Sequence, residues 1–277
     1  MPELPEVETV RLGIEKAALG KVIKTVQVNR RDLRFPLVDN FETVLAGQRI
    51  ESVGRRGKYA LAFLSGGAVA VLHLGMSGRI RIYGPDEIYQ PLKHDHVIFT
   101  LAEGARLVFQ DPRRFGYILL SDRDTWAGQP PFAAMGPEPL GNDFNGPVLY
   151  ERLKGKRTPL KAALLDQRVV AGLGNIYVCE ALYRARLNPA RICADVSEVE
   201  AGRLAVCIRD VLNGAIAAGG STLRDYQKTD GSLGYFQYSF SVYDREGGAC
   251  NSPDCGSVIA RVVQGGRSTF YCAACQK

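Results

Sequence analysis

Cys250-Asn251-Ser252-Pro253-Asp254-Cys255 and Cys272-Ala273-Ala274-Cys275, near the end of a chain of 277 residues, are the stretches that constrain the fold most strongly. Four residues separate the first pair of cysteines, two separate the second, and sixteen lie between the pairs. This spacing is typical of structural zinc sites with four cysteine ligands. Four thiolates leave no open coordination position, so we predict one zinc ion that organises the fold and takes no part in chemistry.

The residues between the two cysteine pairs have the composition of β-strands. Residues 258–263 and 268–271 flank Gly265-Gly266, which predicts a zinc-clamped β-hairpin with a tight glycine turn. Arg267 follows this turn, where its side chain could enter a groove of DNA. Composition alone favours the simpler interpretation, an ordinary solvated arginine.

The rest of the composition bounds the class of protein. Lys and Arg number 35 against 29 Asp and Glu, which gives a net charge of +6, compatible with a polyanionic partner without proving one. The N-terminus lacks the basic start and the apolar stretch of a signal peptide, so we expect a cytoplasmic protein with reduced cysteines. Cys179, Cys193 and Cys207 fall in or near helical patterns and are interpreted as core thiols.

The N-terminal segment predicts a helix. The apolar residues Val7, Val10, Ile14 and Ala17 recur at helical spacing up to Gly20.

Ahead of this helix, removal of Met1 would leave Pro2 as a free secondary amine with a pKa near neutrality. Such an amine can attack a sugar C1′ or a carbonyl and form an iminium. Glu3 could then act as general acid or base. Taken alone this is weak evidence, because many chains begin with Met-Pro and an acidic residue.

The pattern then changes from β to helical. The predicted strands are residues 21–28, 59–64, 68–74, 96–101, 106–109 and 116–120, separated by Gly, Asp and Pro clusters that are typical of a β-sandwich or barrel. A linker rich in Gly and Pro covers residues 127–139 and predicts a domain boundary. The predicted helices beyond it are residues 148–153, 159–166, 176–185 and 196–218.

Basic residues cluster at the predicted loops. In the β-rich part they are Arg55, Arg56 and Lys58, then His73, then Arg113 and Arg114. Met76 and Phe115 lie beside these basic residues. Their side chains could wedge into a base stack, although the pattern alone favours core packing.

The helical part has a basic stretch of its own, from Arg152 to Lys161, which precedes Gly172-Leu173-Gly174-Asn175. These four residues form a turn that leads into a helix. We predict Asn175 as the N-cap of that helix, whose free N–H groups could bind a phosphate.

These signals occur in a specific order along the chain. The ordered motifs are Pro2-Glu3-Leu4-Pro5-Glu6-Val7-Glu8-Thr9, Arg56-Gly57-Lys58-Tyr59, His73-Leu74-Gly75-Met76-Ser77-Gly78, Lys93-His94-Asp95-His96, Asp111-Pro112-Arg113-Arg114-Phe115-Gly116, Gly172-Leu173-Gly174-Asn175-Ile176-Tyr177 and the cysteine hairpin ending in Cys275-Gln276-Lys277. Over essentially its whole length, the chain resembles the Fpg/Nei family of DNA glycosylases, and within it the formamidopyrimidine-DNA glycosylases.

The resemblance implies an α+β multidomain fold. An N-terminal catalytic β-sandwich domain would cover residues 1–130, a helix-two-turns-helix DNA-binding domain residues 131–238, and a zinc finger residues 239–277, with DNA in the cleft between the first domain and the other two. The implied function is that of a bifunctional glycosylase/AP lyase of base excision repair, which removes 8-oxoguanine and formamidopyrimidines and cleaves the strand by β,δ-elimination.

The resemblance also assigns residues to roles. Pro2 would be the Schiff-base nucleophile at C1′, Glu3 the proton donor, Lys58 the proton donor for β-elimination, and Arg267 would serve δ-elimination and bind phosphate. The implied DNA contacts are His94, Arg113, Lys156, His73, Asn175 and Tyr243. The residues implied to fill the void left by a flipped base are Met76, Arg113 and Phe115.

Residues 221–236, here called the lesion loop, resemble the family's lesion-recognition loop. Its glycines predict a mobile lid that orders on DNA. The four-residue gap between Cys250 and Cys255 departs from the two-residue gap of many relatives, yet stays within zinc spacing.

Two alternatives remain open. One is the sister activity on oxidised pyrimidines; against it stands Leu4, where that branch tends to carry glycine. The other is a non-catalytic zinc-dependent DNA-binding protein, which would be expected to have lost Pro2, Glu3 or Lys58, and all three are present. We predict a monomer that binds double-stranded DNA containing oxidised bases or abasic sites.

Overall fold

The computed structural model describes residues 2–223 and 226–277; Met1, Arg224 and Asp225 lie outside the described residues. The chain forms two compact units. The first comprises Met1–Ala133 and Ala218–Tyr235, and the second comprises Ala134–Ala217 and Phe236–Lys277. The contacts therefore group most of the lesion loop with the first unit, whereas the sequence-based division assigned residues 131–238 to one domain. No helix of the described chain has the length and apolar character needed to cross a membrane.

The first unit begins with helix α1, Leu4–Ala18. The predicted apolar face is confirmed at Val7, Val10 and Ile14, which are buried. At its last position the structure buries Ala18, whereas Ala17 is half-buried. The helix packs on strands β2 (Ile50–Arg56), β3 (Tyr59–Leu64) and β5 (Arg79–Tyr83).

Two antiparallel four-stranded sheets form the sandwich of the first unit. The remaining strands are β1 (Ile23–Val28), β4 (Ala68–His73), β6 (Asp95–Leu101), β7 (Arg106–Gln110) and β8 (Tyr117–Asp122). One sheet has the order β1-β6-β7-β5 and the other the order β2-β3-β4-β8, with the short helix α2, Phe41–Leu45, packed against β1. The predicted sandwich is confirmed. The predictions missed β2 and β5, both of which carry arginines.

The second unit is helical before its cysteine hairpin. Its helices are α3 (Gly146–Leu153), α4 (Leu160–Leu165), α5 (Asn175–Arg184) and α6 (Glu198–Ala217). Each lies within two residues of its predicted bounds. The predicted N-cap was wrong: Gly174 occupies the N-cap position and Asn175 is the first helical residue, because its side chain bonds elsewhere.

Helix α5 is the central element of the second unit. Buried Glu180 accepts hydrogen bonds from the backbone N–H groups of Ser241, Val242 and Tyr243 at 2.9–3.1 Å. This carboxylate therefore fixes the chain where it leaves the helical part and enters the cysteine hairpin.

The hairpin pairs strand β9, Ala260–Gln264, with β10, Arg267–Tyr271. Gly265 and Gly266 both have positive φ, as the predicted glycine turn requires. Of the three predicted core thiols, Cys179 and Cys193 are buried and Cys207 is half-buried. Burial raises the pKa of the Cys193 and Cys207 thiols, which keeps both protonated and unreactive.

Candidate active site

The N-terminal residues are enclosed by the first unit. Pro2 is buried and only 3% of Glu3 is exposed. The Glu3 N–H donates to Glu6 Oε2 at 2.8 Å, and Glu6 Oε1 accepts from the Ser221 N–H, also at 2.8 Å. The carboxylate of Glu6 therefore joins the start of α1 to the first residue of the lesion loop.

Lys58 lies in the two-residue turn between β2 and β3. Gly57 adopts φ +56° there, a conformation that favours glycine, and Lys58 is 8% exposed. The neighbouring Arg55 binds Glu8 of α1 at 2.8 Å in a largely buried ion pair. Of these two predicted basic loop residues, Arg55 therefore has a structural role.

His73 ends β4 with its ring stacked on Tyr117, the centroids 5.0 Å apart. Burial, together with the positive charges of Lys58 and Arg34, lowers the pKa of His73 to about 4. Its Nδ1 accepts the Gly75 N–H at 3.1 Å, which assigns the ring proton to Nε2. At neutral pH, His73 is thus an uncharged imidazole that can donate from Nε2.

Met76 and Phe115 lie on two loops that touch each other. They are 37% and 39% exposed, so the interpretation as core packing was wrong. A Cβ at Gly75 would come within 2.3 Å of the Phe115 backbone, which shows how closely the loops approach. Asp111, fully buried, accepts from Ser77 Oγ at 2.5 Å and from the Gly116 N–H at 2.7 Å, and so holds both loops.

Two further cations of the first unit flank these loops. The Arg113 guanidinium lies over the Phe115 ring, 5.2 Å from its centroid. His94 is half-buried just before β6, and its carbonyl accepts the Asp111 N–H at 3.1 Å. His94, Arg113 and Phe115 are therefore neighbours in one loop cluster.

The second unit carries the other four predicted DNA-contacting or catalytic residues. Lys156 is exposed in the turn after α3, and Arg267 is exposed at the hairpin tip. Asn175 Nδ2 donates to the Ser268 carbonyl at 2.9 Å, as does the buried ammonium of Lys161 at 2.9 Å. The strand that bears Arg267 is therefore tied to both α4 and α5.

Tyr243, also half-buried, packs edge-on against Phe270, with the ring centroids 5.1 Å apart. Its backbone N–H is bound by Glu180, as described above. The position of Tyr243 is thus fixed from both the hairpin and α5.

The four hairpin cysteines converge as a metal site. Their Sγ atoms all lie within 4.8 Å of one another, with contacts of 3.2–3.8 Å among them. Tetrahedral zinc with bonds of about 2.3 Å requires sulfur separations of about 3.8 Å, so the donor set fits one structural zinc ion. Cys250 Sγ is part of this cluster, which resolves how the longer first gap is accommodated. Tyr183 Oη lies 3.2 Å from Cys250 Sγ and 3.1 Å from Ser252 Oγ inside that gap.

Sequence reasoning missed three positioning carboxylates, Glu6, Asp111 and Glu180. Each bonds backbone N–H groups of a distant or looped segment. Glu6 did carry a local signal, since a carboxylate three residues after an N-cap acidic residue is typical of a capping box. No local pattern marks the other two.

The first unit is thus a β-sandwich that buries Pro2 and Glu3, and the second is a helical unit that ends in a four-cysteine hairpin. Family comparison agrees for each part. The formamidopyrimidine-DNA glycosylase N-terminal domain matches residues 1–118, the H2TH domain residues 135–227, and the zinc finger found in FPG and IleRS residues 253–277. The zinc-finger match begins after Cys250, the cysteine with the unusual spacing.

Relatives that match over the full length of the chain belong to the same family. The chain is 52% identical to the formamidopyrimidine-DNA glycosylase of Cereibacter sphaeroides (strain ATCC 17025) over 283 residues and to that of Rhodopseudomonas palustris (strain HaA2) over 292 residues, covering 100% of each chain in both cases. The chain belongs to the formamidopyrimidine-DNA glycosylase family and is a DNA repair glycosylase.

Solved structures support the fold over the whole chain. The MutM (Fpg) protein of Thermus thermophilus superposes with a TM-score of 0.87 at 42% identity, covering 99% of this chain and 98% of that one. A Lactococcus lactis Fpg variant in complex with Fapy-dG-containing DNA superposes with a TM-score of 0.90 at 33% identity and 100% coverage of both chains. The Lactococcus lactis Fpg complex with DNA containing an abasic site gives 0.89 at 33% identity and covers 99% of both.

Proposed function

We propose that this protein is a bifunctional glycosylase/AP lyase that removes 8-oxoguanine and formamidopyrimidines through a Schiff base on Pro2 and cleaves the strand by β,δ-elimination. The observation that carries the proposal is the burial of Pro2 and Glu3 at the start of α1, tied through Glu6 to the lesion loop.

The chemistry requires cleavage of the Met1–Pro2 peptide bond, which frees the proline nitrogen. Its lone pair attacks C1′ of the damaged nucleoside while Glu3 gives a proton and the C1′–base bond breaks. Transfer of the amine proton to the ring oxygen O4′ then lets the C1′–O4′ bond break, which yields an iminium between Pro2 and the ring-opened sugar.

The iminium then withdraws electrons from C2′. Loss of the C2′ proton forms a C2′–C3′ double bond and expels the 3′ phosphate, with Lys58 as the proton donor. A second elimination, served by Arg267, expels the 5′ phosphate, and water hydrolyses the iminium to restore Pro2. Lys58 is suited to this role because the turn between β2 and β3 holds it beside neutral His73.

DNA contacts would come from both units. His73 would donate from Nε2, Lys156 and Arg267 would supply exposed charge, and Asn175 would offer its N–H at the first turn of α5, since its side-chain amide is used by Ser268. His94 and Tyr243 would add further contacts. Met76, Arg113 and Phe115 would enter the space left by the flipped base, which fits their exposure on adjoining loops.

The remaining expectations are part of the same proposal. The protein would act as a monomer at the nucleoid of a bacterial cytoplasm, with the three-domain division given by its family. Oxidised purines are favoured over oxidised pyrimidines because of Leu4 and because a solved relative carries Fapy-dG-containing DNA.

Borohydride trapping tests the lesion class and the nucleophile together. The zinc-loaded protein is incubated with duplexes carrying 8-oxoguanine opposite cytosine, or an oxidised pyrimidine, and compared with Pro2→Gly. We expect a covalent adduct on the oxoguanine duplex that is strongly reduced in Pro2→Gly. Preferential trapping on the pyrimidine duplex would show that the protein has the sister activity on oxidised pyrimidines. An adduct that is undiminished in Pro2→Gly would show that Pro2 is not the nucleophile.

A further inference from the structure

Arg79 makes a bridge between the β-sandwich and the lesion loop. It begins β5, a strand at the edge of its sheet. Its Nε donates to Gln110 Oε1 at 2.6 Å, and its Nη1 donates to Gln227 Oε1 at 2.7 Å. One planar guanidinium therefore spans a strand of the sandwich and a residue of the lesion loop.

The bridge continues on the sandwich side to a buried carboxylate. Gln110 Nε2 donates to Asp95 Oδ1 at 2.8 Å, and Asp95 is 3% exposed. The other oxygen of Asp95 accepts from Tyr89 Oη and from the Leu92 N–H, both at 2.8 Å. The chain of hydrogen bonds thus runs from the residue next to His94 to the lesion loop.

The same edge strand holds the loop a second time through its backbone. The Ile82 N–H donates to the Thr229 carbonyl at 2.9 Å. Thr229 also fills the space beside Gly13 of α1, where a Cβ would come within 2.2 Å of its Oγ1. The Lys228 N–H donates to the Ser232 carbonyl at 2.9 Å and closes a compact turn around Thr229.

The Arg79 side chain is not needed to place β5 in its sheet. Five residue pairs with β7, from Arg79–Gln110 to Tyr83–Arg106, already set the strand register. The Arg79–Gln227 bond instead fixes the loop beside Tyr226, which is buried against the carbonyl of Glu6. It therefore acts on the position of the lesion loop.

We propose that Arg79 is a positioning residue that sets the lesion loop for recognition of a damaged base. This inference rests on the proposed function, in which the loop covers the flipped base. An abasic site has no base to cover, so excision of a base should depend on Arg79 whereas cleavage at an abasic site should not.

The test compares two single-turnover rates for each variant: excision of 8-oxoguanine opposite cytosine, and strand cleavage at a preformed abasic site. Arg79→Met keeps the apolar stem and removes the hydrogen bonds to both glutamines, Gln227→Met removes the loop partner, and the double variant removes both residues. Arg123→Met is the matched control, because Arg123 is also an arginine of the first unit but pairs with Glu51 on an exposed surface. Thermal unfolding is recorded for all of them.

We expect Arg79→Met and Gln227→Met each to slow excision roughly tenfold, as loss of a charge-assisted hydrogen bond allows. Abasic cleavage should stay within about twofold of wild type. The double variant should be no slower than the slower single variant, because both substitutions remove the same Arg79–Gln227 hydrogen bond. Arg79→Lys, which can still donate to one glutamine, should recover part of the excision rate.

Equal loss of both rates would show a general structural role for Arg79 and overturn the proposal, as would an unchanged excision rate in Arg79→Met or additive losses in the double variant. A wild-type protein that excises no base and forms no trapped adduct would instead overturn the proposed function. Excision and adduct formation by the wild-type protein therefore distinguish the two failures.

Discussion

Glu6 Oε1 accepts the Ser221 N–H at 2.8 Å while Glu6 Oε2 accepts the Glu3 N–H at the same distance. A single buried carboxylate thus links the residue proposed as proton donor to the loop proposed to recognise the lesion. Glu6 and Ser221 are 215 residues apart in sequence. Both hydrogen bonds require that each of the two Glu6 side-chain oxygens acts as an acceptor.

Glu6→Gln should damage this link although it preserves shape. One of the two N–H groups would face an amide NH₂ instead of an oxygen, and a buried donor left unpaired costs about 1–3 kcal/mol. We expect a lower unfolding temperature and roughly tenfold slower 8-oxoguanine excision in single turnover. Glu15→Gln, in a partly exposed pair with Arg11 on the same helix, is the control and should change neither quantity appreciably. An unperturbed Glu6→Gln would show that the link is dispensable.

His73 should make stability depend on pH. Its folded pKa of about 4 lies below its ordinary value of 6.5, so the fold favours the neutral ring. This contribution, on the order of 3 kcal/mol, is fully present above pH 6.5 and is lost as the pH falls from 6.5 towards 4. Urea unfolding over this range should show a smaller loss of stability for His73→Gln than for wild type. Parallel pH profiles for the two proteins would contradict the assignment.

Tyr183→Phe should weaken zinc retention. The hydroxyl contacts Cys250 Sγ and Ser252 Oγ and so supports the longer gap between the first two cysteines. Groups that support a metal ligand commonly affect affinity by about tenfold or more. We expect faster transfer of zinc to a chromophoric chelator, with Tyr150→Phe, from helix α3 of the same unit, releasing zinc at the wild-type rate. Identical release rates for all three proteins would leave Tyr183 without this role.

Met76→Ala and Phe115→Ala should separate stability from function. Both side chains are more than a third exposed, so each truncation should change the free energy of unfolding by less than about 1 kcal/mol. Excision from a fully paired duplex should fall in both variants, because the flipped base leaves a space that must be filled. Ile88→Ala, at an 85% exposed position, is the matched control. Large losses of stability would restore the core-packing interpretation for these residues.

The parts of this protein that sequence predicts well are those encoded locally. Cysteine spacing identified the four cysteines whose Sγ atoms converge in a donor set for one zinc ion, and helical spacing identified most of the buried face of α1. Strand β5 was missed although Arg79, Arg81 and the intervening Ile80 alternate, because edge-strand arginines lower the apolar signal. Met76 shows the converse error, since an apolar residue beside the basic clusters was interpreted as core packing although it is exposed on a loop.

Contacts between distant segments were beyond local patterns. Arg79 and Gln227 are 148 residues apart, and nothing around either predicts that they meet. Asn175 illustrates a subtler case, since its type favours an N-cap while the Ser268 carbonyl offers its amide a different partner. Tertiary hydrogen bonds of this kind override local preference and are fixed only once the chain is folded.

The position of Glu180 has a consequence for how the second unit unfolds. Its carboxylate holds three successive N–H groups at the entrance to the zinc hairpin, and it lies in the middle of the most buried helix of that unit. Releasing the hairpin would leave this charge without its donors inside the helical core, which is costly. Hydrogen exchange should therefore report one cooperative opening in which hairpin and helix lose protection together, and removal of the metal should loosen α5 as well as the segment that binds it.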